Sequence, residues 1–234
     1  MEPVERLRRE IKVLVFDQYG TVVDMQKGLT EVVTPFLERK GWKGDAHRFV
    51  TWWRRTHFEN SMIDSLCDRG HTPYREIGQH AVSHVMDRAG IAYTRDEVEW
   101  LVGRIEALKP FPEAALALQH LHRRYKLAIL SNGDKDMLAA AKPYIDFAFD
   151  HTISVEEAGY FKPHWKTYAK AEEILGEKQA SILFVANHVF DCVGAKSYGF
   201  NTVFIDRRKQ PFGSWPEQPD LVVADLKELA DALV

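Results

Sequence analysis

The stretch that most constrains this chain is Val13-Leu14-Val15-Phe16-Asp17-Gln18-Tyr19-Gly20-Thr21, an apolar run that ends on an acid and turns at once through glycine. Runs of this kind are strands buried on both faces, as in parallel sheets covered by helices. In open α/β sheets, ligands bind at the carboxyl ends of such strands. Asp17 is thereby placed where a carboxylate can attack an electrophile, with Thr21 following one turn later as a hydrogen-bond partner. Taken alone, Asp17 is equally well a cap of the next turn, a common use of aspartate.

The rest of the chain alternates in the way such a sheet requires. Residues 1–10 form a charged lead-in with helical character, and the first strand is expected over 11–16. From Lys27 to about Leu108 the pattern is helical throughout: Leu29, Val32, Val33, Phe36 and Leu37 recur at helical spacing. Phe49, Trp52 and Trp53, with Met62, Ile63 and Leu66, suggest one long helix or a pair, and one of the two tryptophans belongs to the core. Thr94-Arg95-Asp96-Glu97 is a capping-box pattern. Lys109-Pro110-Phe111-Pro112 marks the return, because prolines stop a helix. Strands are then expected over 127–130, 181–186, 202–205 and 221–223, with a short apolar segment around 147–149 and helices between. This order implies right-handed crossovers and a parallel sheet. The predicted fold is α/β, a Rossmann-like core from residues 1–24 and 109–234 with a helical domain, 25–108, inserted after the first strand.

Charge and cysteine usage narrow the setting. A net charge of -3 without a Lys/Arg cluster offers no footprint for nucleic acid. The 2 cysteines, Cys67 and Cys192, stand far apart without metal-ligand spacing, which fits a reducing cytoplasm. The charged start has no apolar signal region, and no stretch approaches membrane-spanning length. A soluble cytoplasmic protein acting on a small molecule is the expectation.

Four polar clusters fall at strand ends or loops on one edge of the sheet: Asp17/Thr21, Ser131/Asn132, Lys162, and Asn187 to Asp191. Ser-Asn-Gly and Lys-Pro are each common in turns, but the four in this order are a strong signal. Across nearly its whole length the chain resembles the haloacid dehalogenase superfamily. Asp17 matches that family's nucleophile, Ser131 its second motif, Lys162 its third and Asp191 its fourth, and the helical insert matches its cap.

Most members of the superfamily are phosphatases, which carry a second acid two residues after the nucleophile and an acid pair that holds Mg²⁺. Here those positions are Tyr19 and Asn187, and tyrosine does not exchange protons near neutral pH. Phe16-Asp17-x-Tyr19-Gly20-Thr21 instead resembles the type II 2-haloacid dehalogenases, which need no metal or other cofactor. Within that resemblance Arg54, after Trp53, matches an arginine that holds the departing halide; by itself it reads as a solvated residue beside Arg55. Phe58 falls on an apolar pocket position, Asn132 on the halide cradle and Phe190 on an aromatic lining it, while Tyr168 keeps the family's spacing from Lys162. By themselves Phe58 and Tyr168 read as core. The chain departs from the pattern at His188 and Ala186, where those enzymes usually carry asparagine and serine.

The resemblance implies covalent catalysis. Asp17 attacks the α-carbon of a short 2-haloacid and water then opens the ester. Lys162 keeps Asp17 ionised, Asp191 positions Lys162 and helps activate water, and Thr21 and Ser131 hydrogen-bond Asp17 or the substrate carboxylate. His188 adds bulk and an N–H near the substrate, which favours haloacetates and makes fluoroacetate a candidate. A metal-dependent phosphatase and a catalytically silent binding module are the competing readings. Enzymes of this branch are often homodimers, although no feature of the sequence marks an interface.

Overall fold

The computed structural model describes residues 3–234; the expected lead-in is therefore seen from Pro3, and Met1 and Glu2 lie outside the described residues. Helix α1 (Pro3–Glu10) precedes β1 (Val13–Phe16), and the insert then supplies four helices: α2 (Met25–Arg39), α3 (Ala46–Leu66), α4 (Tyr74–Arg88) and α5 (Arg95–Gly103). The chain then alternates through α6 (Ala114–His122), β2 (Lys126–Ser131), α7 (Lys135–Ala141), β3 (His151–Ser154), α8 (Trp165–Leu175), β4 (Ile182–Ala186), α9 (Val189–Tyr198), β5 (Asn201–Ile205), β6 (Leu221–Val223) and α10 (Leu226–Leu233). The sheet order is β3-β2-β1-β4-β5-β6, and every pairing is parallel. All four residues of β1 are buried, as the unbroken apolar run requires. Strand order reverses between β1 and β4, so the loops after these two strands diverge and leave a crevice at their carboxyl ends. Asp17 stands at its edge, its amide still tied to Val185 O of β4 (3.0 Å).

The helical insert behaves as its periodicity demands. Asp24 caps α2 by accepting from Lys27 N (3.1 Å). The residues around Phe49 to Leu66 form one helix rather than two, started by Asp45, which accepts from His47 N and Arg48 N. Trp53 is buried and Trp52 half exposed, with the Arg88 guanidinium over its ring. Both reciprocal bonds of the capping box between Thr94 and Glu97 are present at α5. Helix α4 starts at Pro73 without a local side-chain cap; Asp134, from the loop after β2, accepts from Tyr74 N (2.7 Å) and Arg75 N (2.9 Å) instead. Two orphan donors of a helix start in the insert are thus satisfied from the sheet side. The insert's two ends run side by side, Asp24 N donating to Lys109 O and Phe111 N to Val22 O (both 3.0 Å). One apolar cluster joins Leu14 and Phe16 of the sheet to Leu29, Trp53 and Val82 of the insert.

One strand lies where residue pattern offers little sign of it. The apolar segment at 147–149 is a loop whose rings pack inward, Phe147 on Phe149 (4.9 Å between centroids) and Phe149 on Phe16 (6.2 Å). The strand beside β2 is His151–Ser154, whose first half is exposed or half-buried. Among the described residues no helix is long and apolar enough to cross a membrane.

Candidate active site

Lys162 lies 1% exposed, and its ammonium makes three hydrogen bonds: to Asp17 Oδ1 (2.9 Å), Asp191 Oδ2 (2.6 Å) and Leu130 O (2.9 Å). These use all the donors that an ammonium has. Burial works to raise the Asp17 carboxyl pKa, but the Lys162 charge and the neighbouring His188 outweigh it and hold the group well below the usual carboxylate range. Burial opposes the charge on Lys162 as well; the two carboxylates more than compensate, and its pKa is raised. Asp191 is raised, by burial and by the like charge of Asp17. Of the two acids, Asp17 is therefore the more readily ionised, and it is the one that faces the cavity.

Thr21 fixes the other oxygen. Its hydroxyl donates to Asp17 Oδ2 (2.8 Å) and accepts from Asn187 N (2.9 Å), tying the loops after β1 and β4 together. Gly20, at φ +96°, allows the loop to pass close beneath the insert. A Cβ there would lie 3.0 Å from His188 Cε1 and 3.2 Å from Arg54 Nη2. His188 Nδ1 lies 3.3 Å from Asp17 Oδ2, yet without hydrogen-bond alignment, since the same buried nitrogen has no partner.

A cavity of about 650 Å³ opens above Asp17, lined among others by Tyr19, Arg54, Phe58, Asn132, His188 and Phe190. Phe58 stacks on Phe190 at 3.9 Å between centroids, forming an apolar wall. Arg54 Nη1 donates to Gln26 Oε1 (2.9 Å); burial and the nearby Arg208 lower its pKa, although a guanidinium stays charged. Asn132 Oδ1 accepts from Lys162 N (3.0 Å), so it shapes the Lys162 loop as well as the cavity. Tyr19 stacks on Tyr74 (6.1 Å, 6° between planes), and burial pushes its hydroxyl pKa well above the usual value, removing it from proton transfer.

Three expected site residues stand elsewhere. Ser131 makes no hydrogen bond to Asp17; its Oγ accepts from Gly133 N (3.2 Å) and stabilises the turn after β2. Tyr168 is fully buried behind the cavity wall, where its hydroxyl donates to Asp191 Oδ1 (2.8 Å) instead of meeting substrate. Asp191 has both oxygens engaged, by Lys162 and Tyr168, and does not line the cavity. The water-activating role expected of it therefore has no geometry. Sequence reasoning also missed lining residues: Gln26, Tyr74, Phe111, Arg207 and Arg208. Arg207 and Arg208 follow directly after β5, so the strand-end rule that pointed to Asp17 could have found them. Arg207 donates to Thr21 O (3.0 Å) and pairs with Glu113 (2.7 Å), its guanidinium over Phe111.

Mg²⁺, which most of the superfamily uses, demands a near-octahedral shell of oxygens. Here the cavity carboxylates are Asp17 and Asp24, the second committed to capping α2, while position 19 is a tyrosine and Asn187 donates its amide to Ile205 O (2.7 Å). These residues do not fit the ion.

A doubly wound sheet with a buried ammonium–carboxylate pair at its switch point, beneath a helical insert, is the plan of a hydrolase class. The chain belongs to the haloacid dehalogenase-like hydrolase family, whose model matches residues 11–199. It is similar to the (S)-2-haloacid dehalogenase of Xanthobacter autotrophicus, 34% identical over 202 residues, covering 86% of this chain and 77% of that protein. Haloacetate dehalogenase H-2 of a Moraxella species is 29% identical over 218 residues, covering 92% and 94%. In structure, the Xanthobacter L-2-haloacid dehalogenase with chloropropionic acid covalently bound matches with a TM-score of 0.86 at 30% identity, covering 94% of this chain and 97% of that one.

Proposed function

We propose that the protein is a hydrolytic 2-haloacid dehalogenase that works without a metal through an ester on Asp17. The observation that carries this reading is the Asp17 carboxylate, held anionic by Lys162 and oriented by Thr21, facing a cavity with an apolar wall and a half-buried arginine. The relative with chloropropionic acid covalently bound supports the same chemistry. An Asp17 oxygen attacks the α-carbon, the carbon–halogen bond breaks, and the halide leaves with the bonding pair. Arg54, Asn132 and the Phe58/Phe190 wall receive the leaving halide, where charge develops in the transition state. Water then adds to the Asp17 ester carbonyl, releasing a 2-hydroxy acid and a proton and restoring the carboxylate. In this reading Asp191 and Tyr168 are positioning residues that hold Lys162.

The insert, residues 25–108, acts as a cap over a core of 1–24 and 109–234, and excludes water from the first step. His188, standing over Asp17, biases the enzyme towards haloacetates, including fluoroacetate. A cytoplasmic setting suits the free cysteines, Cys67 exposed and Cys192 buried. Single-turnover hydrolysis of chloroacetate in ¹⁸O water tests the mechanism: label should enter Asp17 first. Label found only in glycolate means direct attack by water and overturns it.

A further inference from the structure

Outside the cavity lining, three groups converge where the insert meets the sheet: His71 in the loop between α3 and α4, Asp134 after β2, and Glu156 after β3. One ligand atom from each lies within 4.8 Å of the others. His71 Nε2 is 3.9 Å from Asp134 Oδ1, and its side chain is only 10% exposed. Both its ring nitrogens are buried without a hydrogen-bond partner. A neutral imidazole has one donor and one acceptor, and buried polar groups without partners are rare in folded chains. The ring is nonetheless held in place, stacked on Phe161 at 4.6 Å between centroids, on a left-handed backbone at φ +67°.

The two carboxylates lack a cation as well. Both Asp134 oxygens accept from backbone amides of α4 and keep their second lone pairs. Glu156 Oε2 accepts from Lys135 N (2.6 Å), while the Lys135 ammonium pairs with Glu157 (2.7 Å) instead. An imidazole and two carboxylates thus face one another with no lysine or arginine side chain paired to them.

We propose that His71, Asp134 and Glu156 form a site for a divalent transition-metal ion such as Zn²⁺, clipping the α3–α4 loop of the insert to the ends of β2 and β3. One imidazole and two carboxylates suit Zn²⁺, with water as the fourth ligand. The nitrogen ligand disfavours Mg²⁺ and Ca²⁺, which take oxygen. Zinc ligands stand about 2.0–2.2 Å from the ion, so the three side chains draw inward on binding. None of its residues lines the cavity, and the proposal does not rest on the reaction proposed there.

The test uses the full chain, stripped with EDTA and dialysed, then titrated with Zn²⁺ by calorimetry and followed by thermal unfolding. Two variants remove ligands conservatively: His71→Asn, which tolerates the left-handed backbone, and Glu156→Gln, which can still accept from Lys135 N. Wild type should bind one equivalent that each variant loses or binds at least tenfold more weakly, with a rise in Tm for wild type alone and no response to Mg²⁺. If His71→Asn fails to fold, Glu156→Gln decides. Equal binding in wild type and variants places the ion on other histidines and overturns the site, as does an absence of binding to wild type.

Discussion

The Tyr168 hydroxyl donates to Asp191 Oδ1 at 2.8 Å, while Lys162 takes Oδ2 of the same carboxylate at 2.6 Å. A fully buried phenol thereby sets the angle at which the ammonium reaches Asp17. Tyr168→Phe leaves one oxygen of a buried carboxylate without its donor, at a cost of about 1–3 kcal/mol. Denaturant unfolding should show that loss. Halide release should slow as well, with kcat falling more than KM rises, because the ring lies outside the cavity. An unchanged kcat would make Tyr168 a packing residue only.

Lys162 governs how acidic the medium can become before Asp17 is protonated. The folded-state pKa of Asp17 is lowered, so its stabilising contribution is present above the ordinary carboxylate value, about 3.9. That contribution is lost as pH falls through the lower folded value. The acid limb of kcat/KM should accordingly lie below about pH 4. Lys162→Met removes the largest stabilising charge and leaves burial, which raises the carboxyl pKa. The acid limb of any residual activity, or of Asp17 followed by NMR, should move upward by at least a pH unit. A limb that stays in place would show that Lys162 does not control the ionisation.

Asp17→Asn keeps the shape of the side chain and removes the nucleophile. Chloride release from chloroacetate should fall at least about 10³-fold, the scale of losing a covalent catalyst. Circular dichroism should still report the fold. Full activity, with deamidation excluded by mass spectrometry, would sink the ester mechanism.

Halide release should persist in EDTA, because the residues around Asp17 do not fit Mg²⁺. Chelation acts only on Tm, through the His71 site. Complete loss of turnover with EDTA and recovery with Mg²⁺ would favour phosphatase-type chemistry instead.

Much of this was legible because burial writes itself into residue type. Val13–Phe16 is apolar at every position since helices cover both faces of the sheet; Asp17 and Asn132 follow from strand ends, and Lys162 from the family resemblance. The strand at His151–Ser154 escaped notice because an edge strand half in water needs no apolar run. The short apolar segment at 147–149 is apolar for a different reason, as its loop carries the rings of Phe147 and Phe149 into the core. Asp134 carries no motif of its own, and only the folded chain brings it onto the start of α4. Tyr168 and Asp191 were found, but spacing cannot tell a residue facing substrate from one bracing the residue that does.

His188 carries the most specific prediction. Its ring stands 3.3 Å from Asp17 Oδ2, tilted against Phe190 at 5.4 Å between centroids, on the cavity wall. An imidazole in this place narrows the space beside the α-carbon, so two-carbon acids should be preferred to longer ones. In the proposed reading an imidazole N–H on this wall would donate to a small, hard leaving group such as fluoride, which departs less readily than chloride. One hydrogen bond to developing charge is worth roughly 2–4 kcal/mol, or about 30- to 1,000-fold in rate. His188→Asn should therefore widen the chain-length range while lowering fluoroacetate turnover by at least about 30-fold more than chloroacetate turnover. The measurement is kcat/KM for fluoroacetate, chloroacetate and 2-chloropropionate on both proteins. Equal losses on all three, with 2-chloropropionate still rejected, would reduce His188 to a structural support of the loop after β4.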